Sequence, residues 1–537
     1  MKVRWKFQYI NVTGVIVLFL LAITLAGCNS SNDVTTAEEN VSSQEKNGEK
    51  SSEDKYGGTL KVVFGDPVVN IGLPPLIRGR GDIVIAMSIY ENLARYNENG
   101  EVEPWLAEGW EADPSSNKIE VELKQGIQFH DGTPFNAEAV KWNLELYRDN
   151  GRVEAAAIDT IDVVDDYNLT INLSRWDNTI FDNLFGFAQM ASPTAYEQNG
   201  EEWLKDNPVG TGAFVLKEWV KDEKVTVERN ENYWVEGLPY LDGVEFHTIT
   251  ESSTAEAAMV AGEFDLYLFS SPQVTSNLEK DFVIEALENG MGAIGNSMAP
   301  DSEDPNSPLA NSDVRKAIGY AIDKEAIVEA VYFGYAEVAH QWSVQKAANY
   351  NPDVEGTPYN PEKAKELLKK AGFGDGFDLT ITFVNNPDLT QLYTAIQAYL
   401  AEVGINVDLN GVQSQEWQEM TGSEGEWDGL INSVFRISND VTFDFNRSLA
   451  STSSHYRSTK LSEEAEELLS QAQTISTSEE LLELSHELQK QVFDEEQTSI
   501  PLVVGNMLLA QNGNVQEHGF LKSQLTHWSP EATWMQQ

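Results

Sequence analysis

Cysteine is almost absent from this chain: among 537 residues Cys28 stands alone. A single thiol excludes an intramolecular disulfide and any zinc site built on paired cysteines. Positive charge is scarce too, with 36 Lys and Arg against 86 Asp and Glu, a formal net charge of −50. A surface of that sign repels nucleic acid and anionic lipid, so neither is expected as a partner. It also repels itself, which salt screens; a saline habitat is one reading, an ordinary acidic secreted protein the other. Catalytic motifs are missing as well. The seven His residues (130, 247, 340, 455, 486, 518 and 527) form no HExxH or HxH pair, and there is no Gly-x-Ser-x-Gly or P-loop. The Ser-x-x-Lys matches Ser43 to Lys46 and Ser52 to Lys55 fall in a polar stretch too poor in apolar residues to hold a nucleophile in place. These absences argue against an enzyme, and no resident cofactor is expected.

What is present begins at the N-terminus. Lys2, Arg4 and Lys6 precede a short apolar run, Ile10 to Leu25, that closes on Leu25-Ala26-Gly27-Cys28. A basic start, a short apolar core and small residues before a cysteine are the marks of a lipoprotein signal, in which Cys28 is acylated and residues 1–28 do not persist as a span. Residues 29–56 are Ser, Asn, Glu, Lys and Gly with Val34 and Val41 as the only large apolar side chains, a composition that suits a flexible tether. The expected location is the outer face of the cytoplasmic membrane, reached through a lipid anchor.

From Gly57 the pattern is that of a mixed α/β body. Period-two alternation marks strands at Thr59 to Phe64, Ile119 to Leu123, Leu169 to Leu173, Lys224 to Val227 and Leu379 to Phe383. Val314, Ala317, Ile318 and Ala321 share one helical face, and Asp323 is placed to cap the helix that follows. Asn360-Pro361 gives an N-cap and a first-position proline, with Gly372 as the stop, and Ser476 and Glu479 have capping-box spacing. No internal repeat of fixed period is present.

A series of blocks then resembles one family. Tyr90-Glu91-Asn92-Leu93, Pro104-Trp105-Leu106-Ala107-Glu108-Gly109-Trp110 and Phe129-His130-Asp131-Gly132-Thr133-Pro134-Phe135 come first. Pro208-Val209-Gly210-Thr211-Gly212, Asn230-Glu231-Asn232-Tyr233-Trp234, Gly262-Glu263-Phe264-Asp265, Val314-Arg315-Lys316-Ala317-Ile318 and Tyr359-Asn360-Pro361-Glu362 follow in order. In order and spacing they are similar to the bacterial extracellular solute-binding proteins of family 5, the peptide-, opine- and nickel-binding lipoproteins of ABC importers. The resemblance implies a two-lobe, periplasmic-binding-protein-like α/β fold of the large peptide-binding subclass that closes about a hinge. It places lobe I at residues 57–293 and 502–537 and lobe II at 294–501. It implies a monomer that binds a small molecule or peptide and meets the permease subunits. Read physically, the blocks are scaffold: Asp131-Gly132 and Gly210-Thr211-Gly212 are turn chemistry, and Trp105, Trp110, Tyr233 and Trp234 are core aromatics.

The resemblance also gives a candidate ligand site. In peptide-binding members an acid nine residues beyond a marker aspartate takes the peptide's amino group. With Asp428 as that marker the position holds Ile437, followed by Asn439 and Asp440 and preceded by Phe435 and Arg436. In chelate-binding members Arg152 falls near an arginine that grips carboxylates, and His455 resembles a metal-contacting histidine. Without a second protein ligand, His455 could only complete a chelate. Arg78 and Arg80 are added as anion donors, since a guanidinium grips carboxylates bidentately. The implied function is capture of a small peptide or of a carboxylate-bearing chelate, opine-like or of nickel, for import. A sensor using the same cleft without transport is the alternative, and a cleft enzyme a third.

Overall fold

The computed structural model describes residues 3–4 and 55–536, except 98–101, 177–179, 288–293, 423–424, 438–440, 452, 454, 473–474, 476–477 and 521–527; for 3, 4, 153, 182, 183, 436, 443 and 478 it describes the backbone alone. Cys28 and its apolar run, the tether up to residue 54, the capping residue Ser476, and Asn439 and Asp440 lie outside the described residues. Among the described residues no helix is long and apolar enough to cross a membrane.

Three sheets organise the body. The first has seven strands in the order Val283–Leu287, Met507–Gln511, Leu266–Leu268, Thr59–Phe64, Gly243–Thr248, Lys224–Arg229 and Phe214–Val220. At its centre Thr59–Phe64 runs parallel to both neighbours. Its Leu60, Val62, Val63 and Phe64 are fully buried, as a strand covered on both faces requires. The second sheet is antiparallel, in the order Ala107–Asp113, Lys118–Leu123, Asn168–Leu173 and Ile158–Asp165, with Val3–Arg4 at the first edge. Its Lys118–Leu123 strand alternates exposed and buried residue by residue, the pattern of a sheet with one wet face. The third sheet has six strands, in the order Ala336–Val338, Ile500–Gly505, Ile294–Pro300, Leu430–Arg436, Phe377–Val384 and Ile405–Val412. The first two sheets, with the C-terminal tail, make lobe I; the third makes lobe II.

The chain passes from lobe I to lobe II between Leu287 and Ile294 and returns between Gly505 and Met507. The return was expected at 502, but Ile500–Gly505 pairs along its length with Ile294–Pro300 and Ala336–Val338, so that strand belongs to lobe II and the boundary moves to Asn506. Local signals act as their chemistry dictates. Asp323 accepts from Ala326 N at 2.9 Å, Asn360 accepts from Lys363 N at 2.9 Å ahead of Pro361, and Gly372, at φ +90°, stops that helix.

The family-like blocks converge on one carboxylate. Glu91, 6% exposed, receives Trp105 Nε1 at 2.8 Å and Tyr233 OH at 2.8 Å on Oε1, and Thr211 Oγ1 at 2.7 Å and Trp234 Nε1 at 2.9 Å on Oε2. Two cations lie on the same indoles: Arg95 over Trp105, and Lys124 over Trp105 and Trp234 at 5.2 and 5.1 Å from the ring centroids. Burial pushes the Glu91 carboxyl up against the pull of these donors. Next to it, His130 donates from Nε2 to Gly212 O at 2.9 Å and accepts from Gly210 N at 3.3 Å. A Cβ on Gly210 would stand 2.1 Å from Ile89 O, so only glycine allows that approach.

Lobe II holds its own buried cations. Arg315 donates to the carbonyls of Leu309 and Ala310 at 2.8 and 3.1 Å and to those of Glu496 and Gln497 at 2.6 and 3.0 Å, pinning the helix Ser312–Ala321 to a distant turn. Lys324, 4% exposed, has only Ala339 O, at 3.2 Å, as a hydrogen-bond partner among the described residues, and burial pushes its ammonium down to about 7.

Two outcomes follow from these groups. Glu91→Gln replaces an oxygen that accepts two donors by an NH2 that accepts none, so it should destabilise lobe I by roughly 2–4 kcal/mol, read as a fall in denaturation midpoint. For Lys324 the folded pKa lies below the unfolded one, so between about pH 7 and pH 10 only the unfolded chain holds the proton and stability rises with pH. Lys324→Met should therefore be more stable than the parent by on the order of 2 kcal/mol at pH 6, with the gap closing toward pH 10 in urea titrations.

Candidate ligand-binding cleft

Ligands of open α/β sheets sit beyond the carboxyl ends of parallel strands, and here two such ends face each other. In lobe I the carboxyl ends of Thr59–Phe64, Gly243–Thr248 and Leu266–Leu268 lie on the side of the crossings, since Leu268 pairs with Leu509 just after the return and Leu287 pairs with Met507. In lobe II Arg436 pairs with Ile294, just after the outward crossing, and Phe377–Val384 runs parallel to that strand. The described segments after these strands, at 65–70, 249–254 and 269–272 in lobe I and at 385–390, 413–414 and 437 in lobe II, border the space between the lobes.

On the lobe I side a buried aspartate shapes the rim. Asp82, 4% exposed, accepts from Val69 N at 2.6 Å, Asn70 N at 3.1 Å and Gly79 N at 3.4 Å, folding the loop after Thr59–Phe64 against the start of the helix Arg80–Ile89. That loop leaves Val69 73% exposed. Arg80 grips Asp66 through Nε and Nη2, both at 2.9 Å, and its guanidinium lies 4.2 Å from the centre of the Phe269 ring. Phe269 takes a left-handed φ of 58°, a conformation that costs a non-glycine residue about 1 kcal/mol. Arg78 is exposed and makes no ion pair among the described residues.

On the lobe II side the strand end is apolar and closed. Phe435 is 3% exposed and stacks flat on Trp342, with centroids 5.5 Å apart and planes 3° apart. It also covers Gly295, where a Cβ would stand 2.1 Å from Cζ of the ring. Ile437 is fully buried in the same cluster with Val441, Phe445 and Phe493. Phe435 and Ile437, expected as ligand contacts, are both buried in this apolar cluster of lobe II, where a side chain presents almost no surface to a ligand. Arg436 closes the strand opposite Ile294, and its side chain is not described.

The remaining expected residues are dispersed. Arg152 sits in lobe I with both Nε and Nη2 on Glu154, at 3.1 and 2.9 Å, so its fork is already filled within the chain. His455 is exposed, its imidazole pushed down by the surrounding protein and by the Arg447 charge. Among the described residues no three His, Cys, Asp or Glu side chains are grouped to hold a metal ion.

Residues not expected from sequence complete the rim. Tyr335 OH donates to Glu279 Oε1, a hydrogen bond from lobe II to lobe I, and Asn506 N in the return crossing donates to Tyr335 O at 3.0 Å. Burial and the Glu279 charge push the Tyr335 hydroxyl up to about 12. Asp388 follows the carboxyl end of Phe377–Val384 and is felt electrostatically by Tyr332 of lobe II and Tyr267 of lobe I. Nearby, a groove of about 820 Å³ is bordered by Asn385, Asn386, Pro387, Thr390, Thr394 and Val331, without a charged residue in its lining. The signal for this rim was present in Asn386-Pro387, an N-cap and first-position proline directly after an alternating strand.

Comparison with known proteins agrees with this architecture. A family model for bacterial extracellular solute-binding proteins, family 5 (middle part), matches residues 101–456. The glutathione-binding protein GsiB of Pectobacterium atrosepticum is 30% identical over 62% of this chain and 65% of its own length; GsiB of Salmonella paratyphi A is 28% identical over 80% and 86%. Among solved structures, the periplasmic binding protein DppA of Helicobacter pylori in complex with the peptide STSA superposes with a TM-score of 0.77 at 23% identity, covering 90% of this chain and 99% of that one. NikZ of Campylobacter jejuni in complex with Ni(L-His) gives 0.73 at 19% identity, covering 88% and 96%.

Proposed function

The chain belongs to the bacterial extracellular solute-binding proteins of family 5, and from this membership we propose that it captures a small peptide outside the membrane and delivers it to the permease of an ABC importer. The observation that carries this reading is the cleft itself, in which strand ends of two lobes face each other across two chain crossings. Such a hinge closes on a ligand by bringing the two rims together, and binding shifts the population toward the closed form that a transporter can distinguish. No covalent step is involved, and the protein works as a binder and not as an enzyme.

A peptide is favoured over a chelate by the state of the arginines. Arg80 and Arg152, which a polycarboxylate chelate would need, are each occupied bidentately by Asp66 and Glu154. The exposed Val69 on the rim offers apolar contact to a side chain, and the glutathione-binding relatives handle a tripeptide-sized ligand. A nickel or opine-like chelate is the second reading, motivated by the exposed His455, whose imidazole is pushed down by burial and by the Arg447 charge. Arg78, with its guanidinium unpaired among the described residues, serves the carboxylate of either ligand. Arg436, Asn439 and Asp440 are carried as further candidate ligand contacts from the family pattern, Asn439 and Asp440 lying outside the described residues. A sensor that uses the cleft without transport is distinguished by unimpaired uptake of the ligand when the protein is deleted.

Native mass spectrometry of the purified body, from Gly57 onward, with metal analysis of the same sample tests the reading: short peptides should be released on denaturation, whereas a single small acid with nickel transfers it to the chelate. The anchor belongs to the same proposal, a monomer held by Cys28 at the outer face of the membrane. The full-length chain should incorporate labelled palmitate and partition into the detergent phase of Triton X-114, and Cys28→Ala should do neither.

A further inference from the structure

The return crossing is a single residue. Gly505 still pairs with Ala336 of lobe II, and Met507 already pairs with Leu287 of lobe I, so on this side a change of angle between the lobes must be taken up at Asn506. Asn506 is only half held. Its N–H donates to Tyr335 O at 3.0 Å, while its Oδ1 is buried and has no hydrogen-bond partner among the described residues. A buried acceptor without a donor forgoes stability, and it persists only where the surrounding structure imposes it. The lobe II end of the outward crossing is different in kind. There Gly295 pairs with Phe435, whose ring covers it so closely that a Cβ would stand 2.1 Å from Cζ, and Trp342 stacks on the far face of that ring.

Tyr335 reaches both lobes from the compliant side. The helix Lys324–Val331 ends in a turn where Phe333 and Gly334 both take a left-handed φ, 55° and 81°, and Tyr335 N donates to Tyr332 O at 2.8 Å. A phenylalanine adopts that conformation only when its neighbours require it. The turn carries the Tyr335 side chain out of lobe II to Glu279, at the end of the lobe I helix Pro272–Leu278, where its hydroxyl donates to Oε1. The mount of the acceptor is firm, since Glu279 N is bound to Thr275 O at 3.1 Å and Val274, Thr275 and Leu278 are buried.

We propose that Tyr335 is a strap across the hinge: its carbonyl holds the return crossing and its hydroxyl holds lobe I, so the ligand-free protein rests at one interlobe angle instead of sampling a range. The strap depends on the two lobes and their crossings and not on what the cleft binds. Its hydroxyl keeps the proton it donates, because burial and the Glu279 charge push its ionisation far above neutral pH. Once the hydroxyl lets go, Asn506 is free to turn, and an angle that supplies its Oδ1 with a donor recovers what the resting angle forgoes.

The test is the distribution of distances between two spin labels, one on each lobe, in the ligand-free full chain in detergent. Cys28→Ala removes the native thiol, so Glu263→Cys and Ala401→Cys, both at exposed positions, carry the only labels. The otherwise unaltered chain should give one narrow peak. Tyr335→Phe removes the hydroxyl alone and should raise the population outside that peak about fivefold, the size of one net hydrogen bond. Glu279→Ala should do the same, the two together should do no more than either alone, and Glu279→Gln, which keeps an acceptor, should stay near the narrow peak. Both side chains lie outside the apolar cores, so every variant should unfold at the parent midpoint, which separates a strap from a folding defect. Narrow peaks in both Tyr335→Phe and Glu279→Ala would overturn the proposal, as would additive broadening by the two or a parent that already samples a broad range.

Discussion

Glu91 is a carboxylate removed from water and held by four donors from three separated stretches of chain: Trp105, Thr211, and the pair Tyr233 and Trp234. Taking such a group out of water costs several kcal/mol, and only a complete set of donors makes the site tenable. That requirement explains why the surrounding blocks are interdependent. Each indole or hydroxyl must arrive at its own distance, and Arg95 and Lys124 must lie on the outer faces of the same indoles. Glu91, Trp105 and Thr211 lie in segments between the seven-stranded sheet and the antiparallel one, and Tyr233 and Trp234 between two strands of the former, so the carboxylate ties the two sheets of lobe I together.

Rigidity at that point is what makes a cleft useful. In the proposed hinge closure, two lobes joined by two short crossings bring together the strand exits that border those crossings. The structure separates its charges accordingly. Arg315 and Lys324 are buried among carbonyls and serve the frame of lobe II, while Glu91 serves lobe I. Arg78 and Asp388 are exposed and make no ion pair among the described residues. The Tyr335 to Glu279 hydrogen bond lies between these groups, a contact from lobe to lobe beside the return crossing.

Much of this architecture was legible in the order of residues, for reasons that are local. Alternation in Thr59–Phe64 and Lys118–Leu123, the caps at Asp323 and Asn360, and the stop at Gly372 act within a few residues and do not depend on the rest of the fold. The family-like blocks were legible as a series, and so was their scaffold character. The candidate site was legible only in outline. Phe435 and Ile437 follow a strand that does reach the cleft, yet side-chain direction depends on packing against Trp342 and Phe493, which come from elsewhere in the chain. Arg80 and Arg152 were read as anion donors to a ligand, and their occupation by Asp66 and Glu154 is a tertiary outcome, since near neighbours in sequence need not meet.

The sequence by itself determined the class of protein: a lone cysteine closing an apolar run, a polar stretch after it, a mixed α/β body without catalytic motifs, and an ordered set of scaffold blocks. Those properties are set by composition and short-range spacing. Tertiary structure alone decided which carboxylates are spent and which are free, where the return crossing lies, and which side of Leu430–Arg436 faces the core. The physical reason is that charge compensation and burial are properties of pairs brought together from distant positions, and a linear pattern carries no record of which pairs will meet.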